Sequence, residues 1–364
     1  MSGRHVERID RVARAIREVG LDAIVVSPSP DLAYLTGYDP MPFERPTLLV
    51  IRPGRDPAML VPELERLGAA SSVGDRIELV GWRDGSDPYE AAASLLNGSE
   101  RVAVTDALWA VHLLGLQRVL PEASFSPASP VLGLLRAVKD ADELDALRRA
   151  GAAADETFRG ILEVPFEGRR EDEVADDLAD LLVRNGHDRP AFTIVASGPN
   201  GASPHHDPGG RTILARDAVV MDFGGELGGY FSDTTRTVVV GGPPEGFEAA
   251  YRAVIAAQAA GIEAVRPGIE AQSVDRAVRA VIEEAGYGDR FNHRTGHGIG
   301  REVHEPPYIV EGDATVLEPG MTFSVEPGVY LEGRFGIRIE DIVTVTDGGA
   351  DRLNHSAREL QVVA

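Results

Sequence analysis

The chain has 364 residues, of which 58 are acidic and 36 basic, so its formal net charge is −22. This acidic balance excludes nucleic acid and anionic membranes as expected partners, since both are negatively charged. The chain contains no cysteine, which rules out disulfides and zinc–thiolate sites, so any metal must be held by oxygen and imidazole ligands.

The first third of the chain alternates between helix-like and strand-like segments. Apolar residues at helical spacing from Val6 to Val19 predict a first helix that Gly20 ends. Neither an apolar signal core nor a run of about 18 apolar residues is found, and we therefore expect a cytoplasmic protein. The predicted strands are Ala23–Val26, Thr47–Ile51, Ala58–Val61, Ile77–Val80 and Val102–Val104, and the helix-like stretches are Glu90–Leu96 and Ala107–Leu116. This order predicts an α/β domain over residues 1–130, in which no Gly-rich phosphate loop follows a strand.

The rest of the chain has a different pattern of elements. A Pro-rich patch, Pro121–Pro130, predicts a linker, and a long helical region runs from Leu132 to Val164. Within this region we predict the helix Ala141–Leu162. The predicted helices beyond it are Glu171–Asn185, Phe247–Val265 and Ser273–Ala285, and the predicted strands are Phe192–Ala196, Ala218–Phe223, Tyr230–Val240, Met321–Val325 and Phe335–Val345. Helices, strands, helices and strands in this order predict an α+β domain over residues 131–364.

Four carboxylates lie in or at the ends of apolar strands: Asp222, Asp233, Glu326 and Glu340. Burying a carboxylate is costly unless it is paired or bound to a cation. A single carboxylate at a strand end more often caps a turn. These four occur in two similar hairpin-like segments, a weak internal repeat that could direct all of them to one point.

Five of the nine histidines fall in a short part of the chain: His205, His206, His293, His297 and His304. The glycines around His297 argue against a helix and predict an extended segment or loop, where missing Cβ atoms let the backbone pass close to a metal or substrate. A phosphate loop is the weaker alternative, because no Lys-Ser/Thr follows.

Carboxylates and imidazole without sulfur suit Mn, Co, Zn or Fe(II) in a hydrolytic two-metal centre. A Ser-His-Asp site is disfavoured, since Ser197-Gly198 lacks the Gly-x-Ser-x-Gly frame.

The motifs that contain these residues resemble those of a known family, the pita-bread metallopeptidases. The matching stretches are Asp222-Phe223-Gly224, Gly229–Thr237, Gly296–Gly300 with His304-Glu305, Glu326-Pro327-Gly328 and Arg338–Asp341. The resemblance implies an α+β pita-bread catalytic domain preceded by a smaller α/β creatinase-like N-terminal domain. This arrangement is similar to the prolidase, aminopeptidase P and creatinase branch, and most similar to bacterial Xaa-Pro dipeptidases. Creatinase-like members lack the metal ligands, whereas this chain has a residue of the right type at all five positions.

The resemblance also implies a role for each matched residue. Two divalent ions (Mn, Co or Zn) would be bound. Asp222 would bind one metal ion, and His297 and Glu326 would bind the other. Asp233 and Glu340 would bridge the two ions. A hydroxide bridging the metals would attack the scissile carbonyl, with Glu326 as the proton shuttle to the proline nitrogen.

The resemblance further implies which residues contact the substrate. His205 and His304 would contact the scissile carbonyl or the oxyanion, while His293 and Arg338 would face the proline. Arg338 could pair with a free C-terminal carboxylate, although a salt bridge to Asp341 or Glu340 explains it nearly as well.

The predicted function is therefore hydrolysis of Xaa-Pro dipeptides, the prolidase reaction. The first alternative is an Xaa-Pro aminopeptidase that releases the N-terminal residue of longer peptides, and the second is a catalytically inert interaction protein of the same fold. We also expect a homodimer, in which the loop Pro40–Pro46 could approach the partner's active site.

Overall fold

A computed structural model describes residues 3–364 and divides the chain into two units, Met1–Leu135 and Arg136–Ala364. Within the described residues, no helix combines the length and the apolar character needed to cross a membrane.

The first unit is built on a six-stranded sheet. Its strands are β1 (Ala23–Val26), β2 (Leu48–Ile51), β3 (Ala58–Pro62), β4 (Glu78–Trp82), β5 (Arg101–Val104) and β6 (Ser124–Pro127), in the order β4-β3-β2-β1-β5-β6. Its helices are α1 (Gly3–Glu18), α2 (Pro30–Thr36), α3 (Arg66–Val73), α4 (Pro88–Leu95) and α5 (Ala110–Val119), and α6 (Ser129–Ala137) follows β6. Alternate residues of β1 belong to two different apolar clusters, so both faces of the sheet are buried.

Between residues 121 and 164 the structure corrects one sequence prediction and refines another. The predicted linker contains β6, which pairs with β5 at the edge of the sheet, where proline is tolerated because one side of the strand needs no partner. The long helical region is interrupted and contains two helices, α6 and α7 (Ala141–Ile161), of which α7 confirms the predicted helix Ala141–Leu162. The break falls at Asp140, whose side chain accepts a hydrogen bond from the Glu143 N–H (2.9 Å) in a capping box that begins α7.

The second unit packs pairs of helices on two sheets. The further helices are α8 (Glu171–Arg184), α9 (Phe247–Ala264) and α10 (Ala271–Glu284). The strands are β7 (Arg189–Ser197), β8 (Ala218–Leu227), β9 (Tyr230–Phe231), β10 (Thr234–Val240), β11 (Gly296–Gly298), β12 (Glu305–Ile309), β13 (Thr322–Val325), β14 (Gly328–Leu331), β15 (Phe335–Arg338), β16 (Asp341–Thr346), β17 (Gly349–Arg352) and β18 (Val362–Val363).

Each sheet shares an apolar core with one pair of helices. The sheet β18-β10-β8-β7, with β9 against β8, shares its core with α7 and α8 through residues such as Phe158 and Leu178. The sheet β12-β11-β13-β16-β17 shares a second core with α9 and α10 through Val254 and Val278, and β14 pairs with β15. The two hairpin-like segments of the internal repeat lie in β8 to β10 and in β13 to β16, one in each half of the unit.

Two predicted strands are interrupted at carboxylates. The predicted strand Tyr230–Val240 is split into β9 and β10 at Asp233, and Phe335–Val345 is split into β15 and β16 at Glu340. At these points the backbone leaves the regular ladder. One interruption lies in each half of the unit. Because Asp233 and Glu340 lie outside the strands, the direction of their side chains is not set by the alternation of a strand.

Candidate metal centre

All nine predicted site residues line one cavity of about 580 Å³ in the second unit. They are Asp222, Asp233, His297, Glu326, Glu340, His205, His304, His293 and Arg338. Within this set, Asp233, His297 and Glu340 are buried and each offers a ligand atom within 4.8 Å of the others. The sequence therefore identified residues that the fold brings together from both sheets.

The first sheet supplies the two aspartates. Asp222 lies on β8 opposite Thr235 of β10, between Met221 and Phe223, which both point into the apolar core. The alternation of a strand therefore turns Asp222 to the opposite face, toward the cavity. Asp233 follows at the break between β9 and β10 and is 4% exposed.

The second sheet supplies His297 at the centre of the short strand β11. A Cβ on Gly296 would lie 1.9 Å from the Ser324 carbonyl oxygen, and a Cβ on Gly298 would lie 2.3 Å from that of Pro306. The prediction of an extended segment is confirmed, but its reason needs correction. These glycines allow close approach of neighbouring backbone, rather than approach to a metal or substrate.

Glu326 and Glu340 each follow the end of a strand, and both are hydrogen-bonded to nearby hydroxyls. Ser324 Oγ donates to Glu326 Oε1 (3.2 Å), and Thr235 Oγ1 donates to Glu340 Oε2 (2.6 Å). The Glu340 N–H donates in turn to the Thr235 carbonyl (3.1 Å). This exchange links β10 of the first sheet to the segment that carries Glu340.

The buried carboxylates of the cavity repel one another when they are ionised. Burial, together with the neighbouring carboxylates, raises the pKa of Asp233 and of Glu340 well above their ordinary values. Burial likewise raises the pKa of Glu326 to about 7, although Arg338 works against this shift. Divalent cations bound among these four carboxylates would favour their ionised forms.

Other properties of the cluster also suit a metal site. Asp222 Oδ1 and Glu340 Oε1 are buried and have no hydrogen-bond partner among residues 3–364. Burial lowers the pKa of His297 to about 3, which keeps the imidazole neutral as a metal ligand must be. His297 Nε2 lies 3.6 Å from Asp233 Oδ2 and 3.4 Å from Glu326 Oε1. The residues present therefore fit divalent metal ions.

The guanidinium of Arg338 is hydrogen-bonded within the chain. Nη2 donates to Asp222 Oδ2 (2.7 Å), Nη1 to the Tyr330 hydroxyl (2.8 Å), and Nε to Thr235 Oγ1 (3.2 Å). The salt bridge that the sequence offered as the alternative role for Arg338 thus exists, but its carboxylate is Asp222 rather than Asp341 or Glu340. Arg338 orients a predicted metal ligand.

The same hydrogen bonds extend to His293. Its Nε2 lies 2.8 Å from the Tyr330 hydroxyl, and its Nδ1 lies 2.8 Å from the Arg294 carbonyl oxygen. A carbonyl only accepts, so Nδ1 carries the proton and Nε2 accepts from Tyr330. Burial lowers the pKa of His293 to about 3, in agreement with this neutral form.

His304 and His205 lie on two different loops at the cavity. The His304 ring is 3.9 Å from the His297 ring, centroid to centroid, and burial lowers its pKa. His205 is exposed on the cavity side, and the preceding Pro204 carbonyl accepts a 3.4 Å hydrogen bond from Arg338 Nη1.

Sequence reasoning missed several residues that line or support the cavity. Thr235 lies inside a recognised motif, but its hydroxyl gave no sign that it would join Glu340 to Arg338. Tyr330 follows the Glu326 motif in an ordinary strand pattern. Arg294 also lines the cavity, with its guanidinium 4.6 Å from the Tyr308 ring centroid. The apolar wall is formed by Phe192, Ile194, Pro204 and Val303.

Comparison with known proteins gives two domain matches and close relatives. Residues 145–347 match the model of metallopeptidase family M24, and residues 8–138 match the creatinase/prolidase N-terminal domain. The chain is 45% identical to a probable dipeptidase PepE of Mycobacterium tuberculosis, over 99% of this chain and 96% of that protein. It is 34% identical to an Xaa-Pro dipeptidase of Pyrococcus furiosus, over 97% and 99%.

A solved structure agrees with these matches. The crystal structure of dipeptidase PepE from Mycobacterium ulcerans superimposes with a TM-score of 0.94 at 44% identity, covering 99% of this chain and 98% of that one. The fold class predicted from the sequence is confirmed.

Proposed function

The chain belongs to metallopeptidase family M24, and from this membership we propose that it is a prolidase, a hydrolase of Xaa-Pro dipeptides. The observation that carries the proposal is the convergence of nine predicted site residues on one cavity. Relatives named Xaa-Pro dipeptidase, similar along almost the whole chain, support the choice of substrate. We assign the reaction to residues 131–364.

Two divalent ions, Mn, Co or Zn, would be held by a set of four carboxylates and one imidazole. The proposed ligands are Asp222, Asp233, His297, Glu326 and Glu340. When bound, the ions supply the Lewis acidity that activates water and polarises the scissile carbonyl.

The chain's own residues handle the proton and the substrate. Glu326 takes a proton from the attacking water and delivers it to the proline nitrogen, and Ser324 Oγ orients its carboxylate through Oε1. His304 and His205, on two separate loops of the cavity, donate hydrogen bonds to the scissile carbonyl as negative charge develops on it. The Xaa-Pro bond is a tertiary amide without an N–H, so these contacts at the carbonyl replace a contact to the amide hydrogen.

Two arginines on the cavity are candidates for binding the free carboxylate of a dipeptide. Arg338 already donates to Asp222, Tyr330 and Thr235. Arg294 makes no hydrogen bond or ion pair through its guanidinium within residues 3–364 and stacks on Tyr308. We therefore assign the carboxylate contact to Arg294 and leave Arg338 on the proline side, where it orients Asp222 and, through Tyr330, His293.

Replacing Arg294 by glutamine is expected to raise KM for Ala-Pro about tenfold or more, since a charge-assisted hydrogen bond contributes about 1.5–3 kcal/mol. KM for the amide Ala-Pro-NH₂, which lacks the carboxylate, should change little. Steady-state kinetics on both substrates measures the difference, with Arg294→Lys as the control that keeps the charge. If Arg338→Lys shows the selective loss on Ala-Pro and Arg294→Gln does not, the assignment belongs to Arg338.

The proposed function is tested with metal-loaded protein on Ala-Pro and Ala-Pro-Ala. A prolidase releases proline from the dipeptide with the higher kcat/KM. Preference for the tripeptide would identify an Xaa-Pro aminopeptidase instead. Absence of turnover on both peptides with Mn, Co and Zn would contradict the proposal and favour an inert member of the fold.

A further inference from the structure

A buried carboxylate outside the metal cluster, that of Glu171, is hydrogen-bonded to the segment that carries His205. Glu171, the first residue of α8, is fully buried. Its Oε1 accepts from the Ser197 N–H (2.7 Å), Ser197 Oγ (2.6 Å) and Asn200 Nδ2 (3.1 Å). Its Oε2 accepts from Asn200 Nδ2 (3.0 Å) and lies 3.0 Å from His206 Nε2.

Two of these partners, Ser197 and His206, lie at the two ends of a single segment, and Asn200 lies between them. Ser197 ends β7, Asn200 lies in the 3₁₀ turn Gly198–Ala202, and His206 directly follows His205. The carboxylate of Glu171 only accepts, so His206 Nε2 carries a proton and donates to it. Residues 197–206 are thus held to α8 by one buried group.

His205 depends on this arrangement for its position. It lines the cavity, but its own side chain makes no hydrogen bond to any residue between 3 and 364. The ring is therefore placed by its backbone, which is fixed on one side by the Pro204 carbonyl bond to Arg338 and on the other by His206. A displacement of about 1 Å at a contact of this kind can cost about 10²-fold in rate.

We propose that Glu171 and His206 are positioning residues, which hold the His205 loop so that the His205 ring faces the substrate. The proposal rests on the proposed function, because it takes His205 as a substrate contact. Glu171 and His206 act through His205 and touch neither the substrate nor the metal ligands. The sequence singled out His206 with the other histidines and assigned it no role.

The first test is a double-mutant cycle on Xaa-Pro hydrolysis. His206→Leu should lower kcat about tenfold or more, with a smaller change in KM and unchanged bound metal. His206→Gln, which keeps an N–H donor near the position of Nε2, should recover most of the loss. In a His205→Ala background, His206→Leu should cause no further loss. His355→Leu, at an exposed histidine in the same unit, is the matched control.

The second test does not depend on turnover. The imidazole NMR signals of His205, identified by their absence in His205→Ala, should shift or broaden in His206→Leu and recover in His206→Gln. Two results would overturn the proposal. One is a fall in kcat on adding His206→Leu to His205→Ala that is as large as in the wild-type background, and the other is a His205 signal that is unchanged in folded His206→Leu protein. If the wild-type protein hydrolyses no Xaa-Pro peptide, the proposed function fails, while the NMR result still decides whether His206 positions His205.

Discussion

Replacing Asp233 by asparagine is expected to abolish Xaa-Pro hydrolysis while the chain keeps its fold. Asp233 lies buried among Asp222, Glu340 and His297 in the proposed metal site. Several kcal/mol of Lewis-acid stabilisation correspond to about 10³-fold or more in rate. Kinetics on Ala-Pro measure the loss of hydrolysis, and elemental analysis of the same protein measures the loss of bound metal.

The same substitution should act differently on stability. Burial and the neighbouring carboxylates raise the pKa of Asp233, so in metal-free protein the charged form is disfavoured and a neutral amide is tolerated. We expect the metal-free variant to melt at or above the wild-type temperature, and the rise in Tm on adding metal to be reduced. Asp289→Asn, at an exposed position, is the control. Wild-type activity or metal content in Asp233→Asn would refute the site.

Replacing Glu305 by glutamine is expected to destabilise the second unit by about 3–5 kcal/mol, because it breaks a buried ion cluster. Lys139 Nζ lies 2.7 Å from Glu305 Oε1, and Arg136 Nη2 is hydrogen-bonded to Oε2. The Lys139 and Glu305 side chains are 1% and 2% exposed. Without the carboxylate, the buried amino group of Lys139 loses its ion-pair partner.

The free energy of unfolding in urea measures this effect. The matched control is Glu311→Gln, which breaks the ion pair between Glu311 and Arg276. Both of these side chains are more than half exposed. An exposed pair contributes less than about 1 kcal/mol. Equal losses in the two variants would contradict the role of burial at Glu305.

The Glu305 effect should also depend on pH. Burial raises the pKa of Glu305, but the charges of Lys139 and Arg136 outweigh it and hold the pKa below the ordinary 4.5. A lowered pKa in the folded state means that the ionised group stabilises the fold above pH 4.5, and that this contribution is lost as the pH falls further. The difference in the free energy of unfolding between wild type and Glu305→Gln should be constant near neutral pH and become smaller below pH 4.5.

The sequence predicted the candidate site better than the details of the fold around it. Asp222 and Asp233 are conspicuous because charged side chains within apolar, strand-like segments need a reason for burial, and His297 is conspicuous because of the glycines on both sides of it. The partners of Arg338 were not predictable in the same way. Thr235 and Tyr330 are ordinary strand residues. The packing of β10 against the segment that carries Glu340 brings the Thr235 hydroxyl to Glu340, and the pairing of β14 with β15 brings the Tyr330 hydroxyl to Arg338.

The errors in the fold have similar physical causes. The breaks at Asp233 and Glu340 were missed because β-forming residues continue on both sides of each break. Helices α2 and α3 were missed because neither shows a helical period: the consecutive residues Leu32 to Thr36 of α2 are all buried, and α3 buries only Ala69 and Val73. The prolines of β6 suggested a linker because an edge position cannot be recognised without knowing the order of the strands.

A titration of metal-free protein with Mn, in which bound metal and hydrolysis of Ala-Pro are measured in the same samples, tests the proposed two-metal site most directly. We expect no hydrolysis without metal, and activity that rises with occupancy and saturates at two ions per chain. Full hydrolysis of Ala-Pro by protein stripped of metal, or saturation unchanged in Asp233→Asn, would contradict the proposed site.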